Sequence, residues 1–325
     1  MIIVVLYCYM VDDWYDRLSK QLQRVQESSL YDELNEFHLV VTDINQNQKE
    51  ILDNLLIKYP KIILDYNTRN EYESHAISKI DNIARTYGDC KILYFHTKGV
   101  SNKYKNLDTN EQYDLKIEGI KCWSELLEHF VIDHWKECVN KLDEYDTVGV
   151  NNVSNWWWGN FWWANSYHIK NNVPFNQFYY GSRWQCESWL HESNKDINNI
   201  KFYQFYPFSY DPYYSILPKY FYDGTDISNI EIKVINAKLG YFAEQRDEGR
   251  SLIIKEDILV DVTDKITEMV KSSDNKKIEL FPDQCYSGSH PCDGNDKSLR
   301  ILFKTNIDPN ETYTLTSFYL NKITY

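Results

Sequence analysis

The chain opens on an unbroken apolar and aromatic run, Ile2–Tyr9 (IIVVLYCY). A run without polar alternation suits a strand buried on both faces of a parallel sheet. Asp12 and Asp13 follow, and Trp14, Leu18, Leu22 and Val25 then recur at three- and four-residue spacing, which predicts a helix. The same succession continues with a strand over 37–42 that ends at Asp43 and a helix over 46–58 with Ile51, Leu55 and Leu56 on its apolar side. A strand over 61–65, a helix over 72–87 with Ala76, Ile77, Ile80 and Ala84 inward, and a strand over 90–95 complete it. Strand–helix alternation repeated three times predicts an α/β fold, Rossmann-like, with a mostly parallel, doubly wound central sheet.

Beyond residue 100 the pattern changes. Residues 100–114 are polar and aperiodic and predict a loop. A long helix is expected over 118–142 through Trp123, Leu126, Leu127, Phe130, Val131 and Trp135, followed by a strand over 147–151. Residues 155–215 are dense in aromatics and show no clear period. Asp223-Gly224 is a turn signal. After it come short alternating segments at 230–235, 251–254, 277–281 and 299–303, with one helical pattern at 262–270 and Thr263 or Asp264 as its N-cap. This organisation predicts an α/β domain over 1–222 and a small β-rich domain over 223–325.

Composition narrows the class. A chain of 325 residues with 43% hydrophobic and 26% charged residues is globular. A net charge of −13 with no long basic run argues against nucleic acid as a partner. The apolar start is too short to span a bilayer and carries no basic segment or cleavage site. The expectation is therefore no membrane span and a cytoplasmic location, a host cytoplasm if the source is viral. Seven scattered cysteines do not form a disulfide framework, although Cys285 and Cys292 are near enough in sequence to pair. AT-rich coding bias accounts for much of the 27 Tyr but not for ten Trp.

Four constellations carry candidate chemistry. In an open α/β sheet ligands sit beyond the carboxyl ends of the strands. Those ends offer Tyr7 and Tyr9, Asp43, Asp65, and the run His96-Thr97-Lys98-Gly99. A ring for a base, a carboxylate for ribose hydroxyls and a cation for a diphosphate are the residue types a nucleotide needs, and no GxGxxG or GxxxxGK[ST] is present. His96, Thr97, Lys98 and Gly99 also fit an ordinary turn after a strand. Half of the Trp residues lie in NWWWGNFWWA, where Trp157, Trp158, Trp162 and Trp163 with Asn160 could wall a sugar site. In RWQCESWL, Arg183 and Glu187 are four apart on one helix face. They form either a structural ion pair or a site in which Glu187 deprotonates an acceptor hydroxyl. Glu71 and Glu73 read as first-turn carboxylates of a helix, and His168, His191 and His290 as isolated structural or surface residues.

The order of "SSLYDEL", "NEYESHAISKI", "ILYFHTKGVS", "DTVGVN", "WWWGNFWWANSYHI" and "RWQCESWL" resembles a group of bacterial and giant-virus glycosyltransferases of the GT-A fold, which carry HTKG and GNFWWA-like motifs. The resemblance covers about 1–215. It implies transfer of a sugar from a UDP-, GDP- or dTDP-linked donor to a hydroxyl of a glycan acceptor. Among the candidates above, Tyr7, Tyr9, Asp43, Asp65, Thr97, Lys98 and Gly99 are expected to bind the donor, and Trp157, Trp158, Asn160, Trp162, Trp163 and Arg183 the acceptor. Glu187 and His96 fall to catalysis. Most GT-A enzymes carry an Asp-x-Asp that holds Mn or Mg, and this chain has none. His96-Thr97-Lys98 stands in its place, so weak or absent metal dependence is expected. Through "IKVINAKLGY", "LVDVTDKITEMV" and "HPCDGNDKSLRILF", residues 232–303 resemble an uncharacterised β-rich module, for which acceptor binding, packing against the catalytic domain and homo-oligomer formation are the open expectations. The alternative expectation is a glycan-binding protein without catalysis, which would bind no nucleoside diphosphate.

Overall fold

The computed structural model of the chain describes residues 1–42, 44–67, 71–98, 110–153, 156–194, 197–206, 210, 212–226, 229–240, 260–272 and 298–317. Asp43, Gly99, Cys285, Cys292, His290 and the segments expected as strands at 251–254 and 277–281 lie outside the described residues. By backbone contacts the chain divides into two compact units, residues 1–101 with 127–207 and residues 102–126 with 208–325.

The first unit is built on a seven-stranded sheet. β1 (Ile2–Tyr9) pairs in parallel with β2 (Glu36–Thr42) on one side and β4 (Lys91–His96) on the other. β2 pairs in parallel with β3 (Ile62–Asn67) at the edge. The connections are α1 (Trp14–Glu27) with the short α2 (Leu30–Glu33), then α3 (Gln46–Leu56), then α4 (Ser74–Thr86). Asn45 begins α3 with a reciprocal cap: its side chain accepts from the Gln48 N–H, while the Gln48 side chain accepts from the Asn45 N–H. Residues Ile3 to Leu6 of β1 are fully buried, as a central strand requires, whereas Ile63 of β3 is 44% exposed.

Next in the chain come α5 (Asn110–Glu128), a π-helical turn (His129–Asp133) and α6 (Trp135–Lys141). The single helix expected over 118–142 thus starts earlier and is interrupted. A π turn places residues five apart on one face. It lets both Glu128 and Asp133 reach the Arg24 guanidinium, at 3.2 and 2.7 Å.

The far half of the sheet contains β5 (Thr147–Gly149), then a small hairpin of β6 (Asn152–Val153) and β7 (Trp156–Trp157), then β8 (Trp162–Asn165). α7 (Ser166–Lys170), α8 (Phe175–Phe178), α9 (Arg183–Glu192) and β9 (Phe202–Gln204) follow. β8 is antiparallel to both β4 and β5, and β9 is parallel to β5. The order is β3-β2-β1-β4-β8-β5-β9. The fold is α/β with a mostly parallel sheet in which β8 alone is reversed. The chain leaves β1 toward β2 and β3 and returns past it to β4, so the β1–β4 border is the topological switch point.

The second unit carries an antiparallel sheet in the order β11-β10-β12-β13. Its strands are β10 (Ile232–Gly240), β11 (Val260–Asp261), β12 (Ser298–Thr305) and β13 (Tyr313–Ser317), with α10 (Thr263–Ser272) between β11 and β12. Thr263 lies inside α10 rather than at its cap, and the Asp261 carboxylate accepts its N–H at 2.9 Å. This unit begins before the turn at 223 and takes most of α5 with it. The reason is close packing at Gly119, where a Cβ would stand 2.4 Å from the Tyr213 carbonyl oxygen. Trp123 meets the Tyr213 ring edge-on at 4.9 Å nearby. Among the described residues no helix is long and apolar enough to cross a membrane.

Gly149 gives a direct test of the packing around β5. A Cβ there would sit 2.5 Å from the Trp157 ring, which is buried and cannot swing away. Gly149→Ala is expected to cost about 1–3 kcal/mol, read as a lower urea midpoint with an unchanged slope. An unchanged midpoint would mean that Trp157 does not cover this strand.

Candidate functional site

The site grows from a two-residue alternation that runs past the end of β4. Tyr94, His96 and Lys98 are two apart, so their side chains leave the strand on one face. That face is covered by α4, whose Ala76, Ile77, Ile80 and Ala84 pack with Ile92, Tyr94, Trp162 and Ala164 in one core cluster. At the start of α4 stands Glu73, 8% exposed. Its Oε2 accepts from the Tyr94 hydroxyl at 2.8 Å and from Asn160 Nδ2 at 2.6 Å. The Asn160 amide has a unique orientation, because its Oδ1 accepts the Trp162 indole N–H at 2.8 Å. Asn160 Nδ2 also reaches the Cys186 carbonyl at 3.4 Å, next to Glu187 on α9.

Backbone strain gathers on both sides of this contact. Tyr72, Gly159 and Asn160 have φ of +56°, +76° and +57°. Two of these are non-glycine residues in the left-handed region, a cost that surrounding contacts must offset and that concentrates at functional sites.

The same turn fixes His96. Its Nε2 lies 2.8 Å from the Gly159 carbonyl, which can only accept, so Nε2 carries the proton. Burial lowers the His96 pKa to about 4, against the pull of Glu73, and the ring is neutral at pH 7. Its 3.9 Å approach to Glu73 Oε1 is therefore not an ion pair at that pH.

From α9, Arg183 Nε pairs with Glu187 Oε1 at 3.2 Å, with the Arg183 side chain 51% exposed and that of Glu187 17% exposed. Lys98 is buried, and burial lowers its pKa to about 8, opposed by the charges of Glu187 and Glu73. For Glu73, burial works against ionisation. It is outweighed by the His96 ring, the Tyr94 and Asn160 hydrogen bonds and the Arg183 charge, which hold its carboxyl below the usual value. Burial and the Glu73 charge push the Glu187 carboxyl up, against Arg183 and Lys98. Two carboxylates and two cations thus share one neighbourhood at the carboxyl end of β4.

The turn is gripped from the other side by α1. Gln21 Nε2 donates to the His96 carbonyl at 3.0 Å and to Glu128 Oε1 at 2.8 Å. Arg17 Nη1 donates to the Lys98 carbonyl at 2.6 Å while its Nε pairs with Asp13 at 2.9 Å. Residues 17, 21 and 24 form one stripe on α1, so a single helix face orients the turn and anchors the π turn.

Several expected site residues stand elsewhere. Trp162 and Trp163 are 1% and 0% exposed and Trp157 is 3% exposed, so none presents a ring face to a sugar. The cause is alternation within a sheet covered on both faces: Trp162 opposes Tyr94 and Trp163 opposes Leu93. Trp163 donates its indole N–H to the Val131 carbonyl at 2.8 Å. Trp158 is half-buried and its backbone N–H is bonded to the Asn151 carbonyl. Asn160 is buried on Glu73 rather than turned outward.

On the donor side, Tyr7 is buried with its hydroxyl 2.9 Å from Thr42 Oγ1, which removes it as a stacking surface. Tyr9, one alternation further, is half-buried against the same core. Thr97 is buried and its N–H donates to the Tyr7 carbonyl at 3.0 Å, extending the β1–β4 ladder. Asp65 pairs with Lys79 at 3.0 Å. It lies on the edge strand, three strand spacings or roughly 14 Å from β4. His168 and His191 are buried structural groups, bonded to the Leu190 carbonyl and to Thr147. The residue missed by sequence reasoning is Glu73, whose place at a helix start looks like an ordinary first-turn acid.

Among the described residues no group of three or more His, Cys, Asp and Glu side chains is arranged to hold a metal ion.

The neutral His96 makes a pH prediction. Its folded pKa lies below the ordinary 6.5, so in the window from 6.5 down to about 4 the unfolded chain binds a proton that the folded one refuses. Stability is lost as pH falls through that window. The wild type should lose about 3 kcal/mol more than His96→Gln between those limits, measured by urea unfolding at each pH. Parallel pH profiles would mean that the ring is not held neutral. No protein-family model and no curated protein sequence matches this chain with significance.

Proposed function

We propose that the chain is a GT-A-type glycosyltransferase that moves a sugar from a nucleoside diphosphate to a hydroxyl of a glycan or glycoconjugate. The observation that carries the reading is the meeting of Lys98, Arg183 and Glu187 beside the β1–β4 switch point, where α/β sheets take their ligands. The order of HTKG and GNFWWA-like motifs points the same way.

In this reading the acceptor O–H gives its proton to Glu187 as its oxygen bonds to the anomeric carbon. The bond from that carbon to the β-phosphate oxygen breaks, and the diphosphate leaves with the electron pair. A base with raised proton affinity is suited to the first transfer. Lys98 stabilises the charge that develops on the leaving group, in a setting where burial makes its charge count for more. Lys98 supplies this charge without an Asp-x-Asp metal. His96 holds the Gly159–Asn160 turn and gives up no proton, since its Nε2–H is spent on a carbonyl.

A panel of UDP, GDP and dTDP with the matching sugars tests the reading by thermal shift, with and without Mn²⁺. One nucleotide is expected to raise the midpoint by mass action, and chelation with EDTA should leave turnover unchanged. Glu187→Gln should keep that shift and lose about 10²–10⁴-fold in turnover. If no nucleoside diphosphate shifts the midpoint, the chain is not a transferase. If Glu187→Gln turns over like the wild type, the base lies elsewhere.

A further inference from the structure

The structure buries three of the tryptophans expected to meet a sugar and exposes a different one. Trp184, one residue from Arg183 on α9, is 49% exposed. Its ring lies 5.9 Å from that of half-buried Trp156 in the β6–β7 hairpin, inclined by 38°. The pair is rigid. The Trp156 indole N–H donates to Glu192 Oε1 at 2.6 Å. The Arg183 guanidinium carbon sits 5.5 Å from the centre of the Trp184 ring. Gln185 fixes the chain ahead of α9, its Oε1 accepting from the Tyr180 N–H at 2.9 Å and its Nε2 donating to the Phe178 carbonyl.

An exposed indole costs a protein solubility and offers nothing to its core, so its neighbours matter. Here a guanidinium lies over the ring, a carboxylate holds its partner, and Glu187 is three residues on, one helical turn along the same side. Indole faces take the C–H face of a pyranose, and flanking Arg and Glu take its hydroxyls. We infer that Trp184 and Trp156 form the platform on which the acceptor pyranose lies, with its reacting hydroxyl directed to Glu187. This rests on the transferase reading and names the acceptor class for that same site: a hexopyranoside, bound by ring stacking and by Arg183.

Saturation-transfer NMR tests it with the methyl pyranosides of glucose, galactose, mannose, N-acetylglucosamine and fucose. At least one is expected to bind in the millimolar range, receiving saturation on the hydrogens of one ring face. Trp184→Ala should weaken that binding about tenfold, Trp184→Phe much less, and Trp156→Leu to an intermediate degree. Trp184 is half exposed, so the variants should fold, and an unchanged thermal midpoint confirms it. Binding of UDP, GDP or dTDP should be the same in all of them. Three results overturn the platform: no pyranoside binds, Trp184→Ala binds as the wild type does, or the alanine variant loses the nucleotide instead. If nucleotide binds and these results appear, the platform fails and the transferase reading stands. If neither nucleotide nor pyranoside binds, both fail.

Discussion

A carboxylate buried at the start of a helix organises this site. Glu73 leaves water for a place where ionisation is costly, and two donors aimed at one of its oxygens favour the ionised form. The position at the amino end of α4 adds a favourable helix dipole. Everything nearby is arranged around that fixed charge. Tyr94 must leave β4 on the α4 side, Asn160 must take a left-handed backbone, and Trp162 must hold the Asn160 amide the right way round. Removing one donor would leave a buried charge short of a partner, which costs more than the hydrogen bond itself is worth.

From that anchor follows the electrostatic design. A lone buried Lys98 would lose its proton readily. Glu73 and Glu187 oppose that loss, while the charge of Glu73 raises the proton affinity of Glu187. Lys98 and Arg183 balance two carboxylates, so the resting cluster carries no net charge once His96 is neutral. An incoming dianion would then meet cations already oriented, since α1 holds the turn by the His96 and Lys98 carbonyls from behind. The reversed strand β8 makes this possible by carrying the Gly159–Asn160 turn to the end of β4, where a parallel strand would have begun at the opposite edge.

Much of the scaffold was legible because its signals are local. An uninterrupted apolar β1, the helical spacing after Asp13 and the strand ending in His96 depend on neighbours in sequence, and they appear within a residue or two of their expected bounds. The π turn was not legible, since it answers to Arg24, over a hundred residues earlier. Nor was the role of Glu73, whose partners are 21 and 87 residues away. A run of five tryptophans announces that something is packed or bound, but which rings face inward depends on the register of β8 against β4. That register is set by tertiary pairing. The exposed ring, Trp184, lies in a helix with only weak amphipathic pattern, so periodicity gave it no prominence. One signal was available and unused: Tyr94, His96 and Lys98 continue a strand's alternation beyond its apolar run, which already put three polar-tipped side chains on one face.

If Glu73 is an ionised, buried organiser rather than a surface acid, carbon-13 NMR titration of the side-chain carboxyls in selectively glutamate-labelled protein will read it, with Glu73 assigned by loss of its signal in Glu73→Gln. The expected midpoint lies below the ordinary glutamate value of 4.5 and moves upward when Asn160 is replaced by Ala. A Glu73 resonance that titrates at or above the ordinary value, and that does not respond to the loss of Asn160, would contradict it.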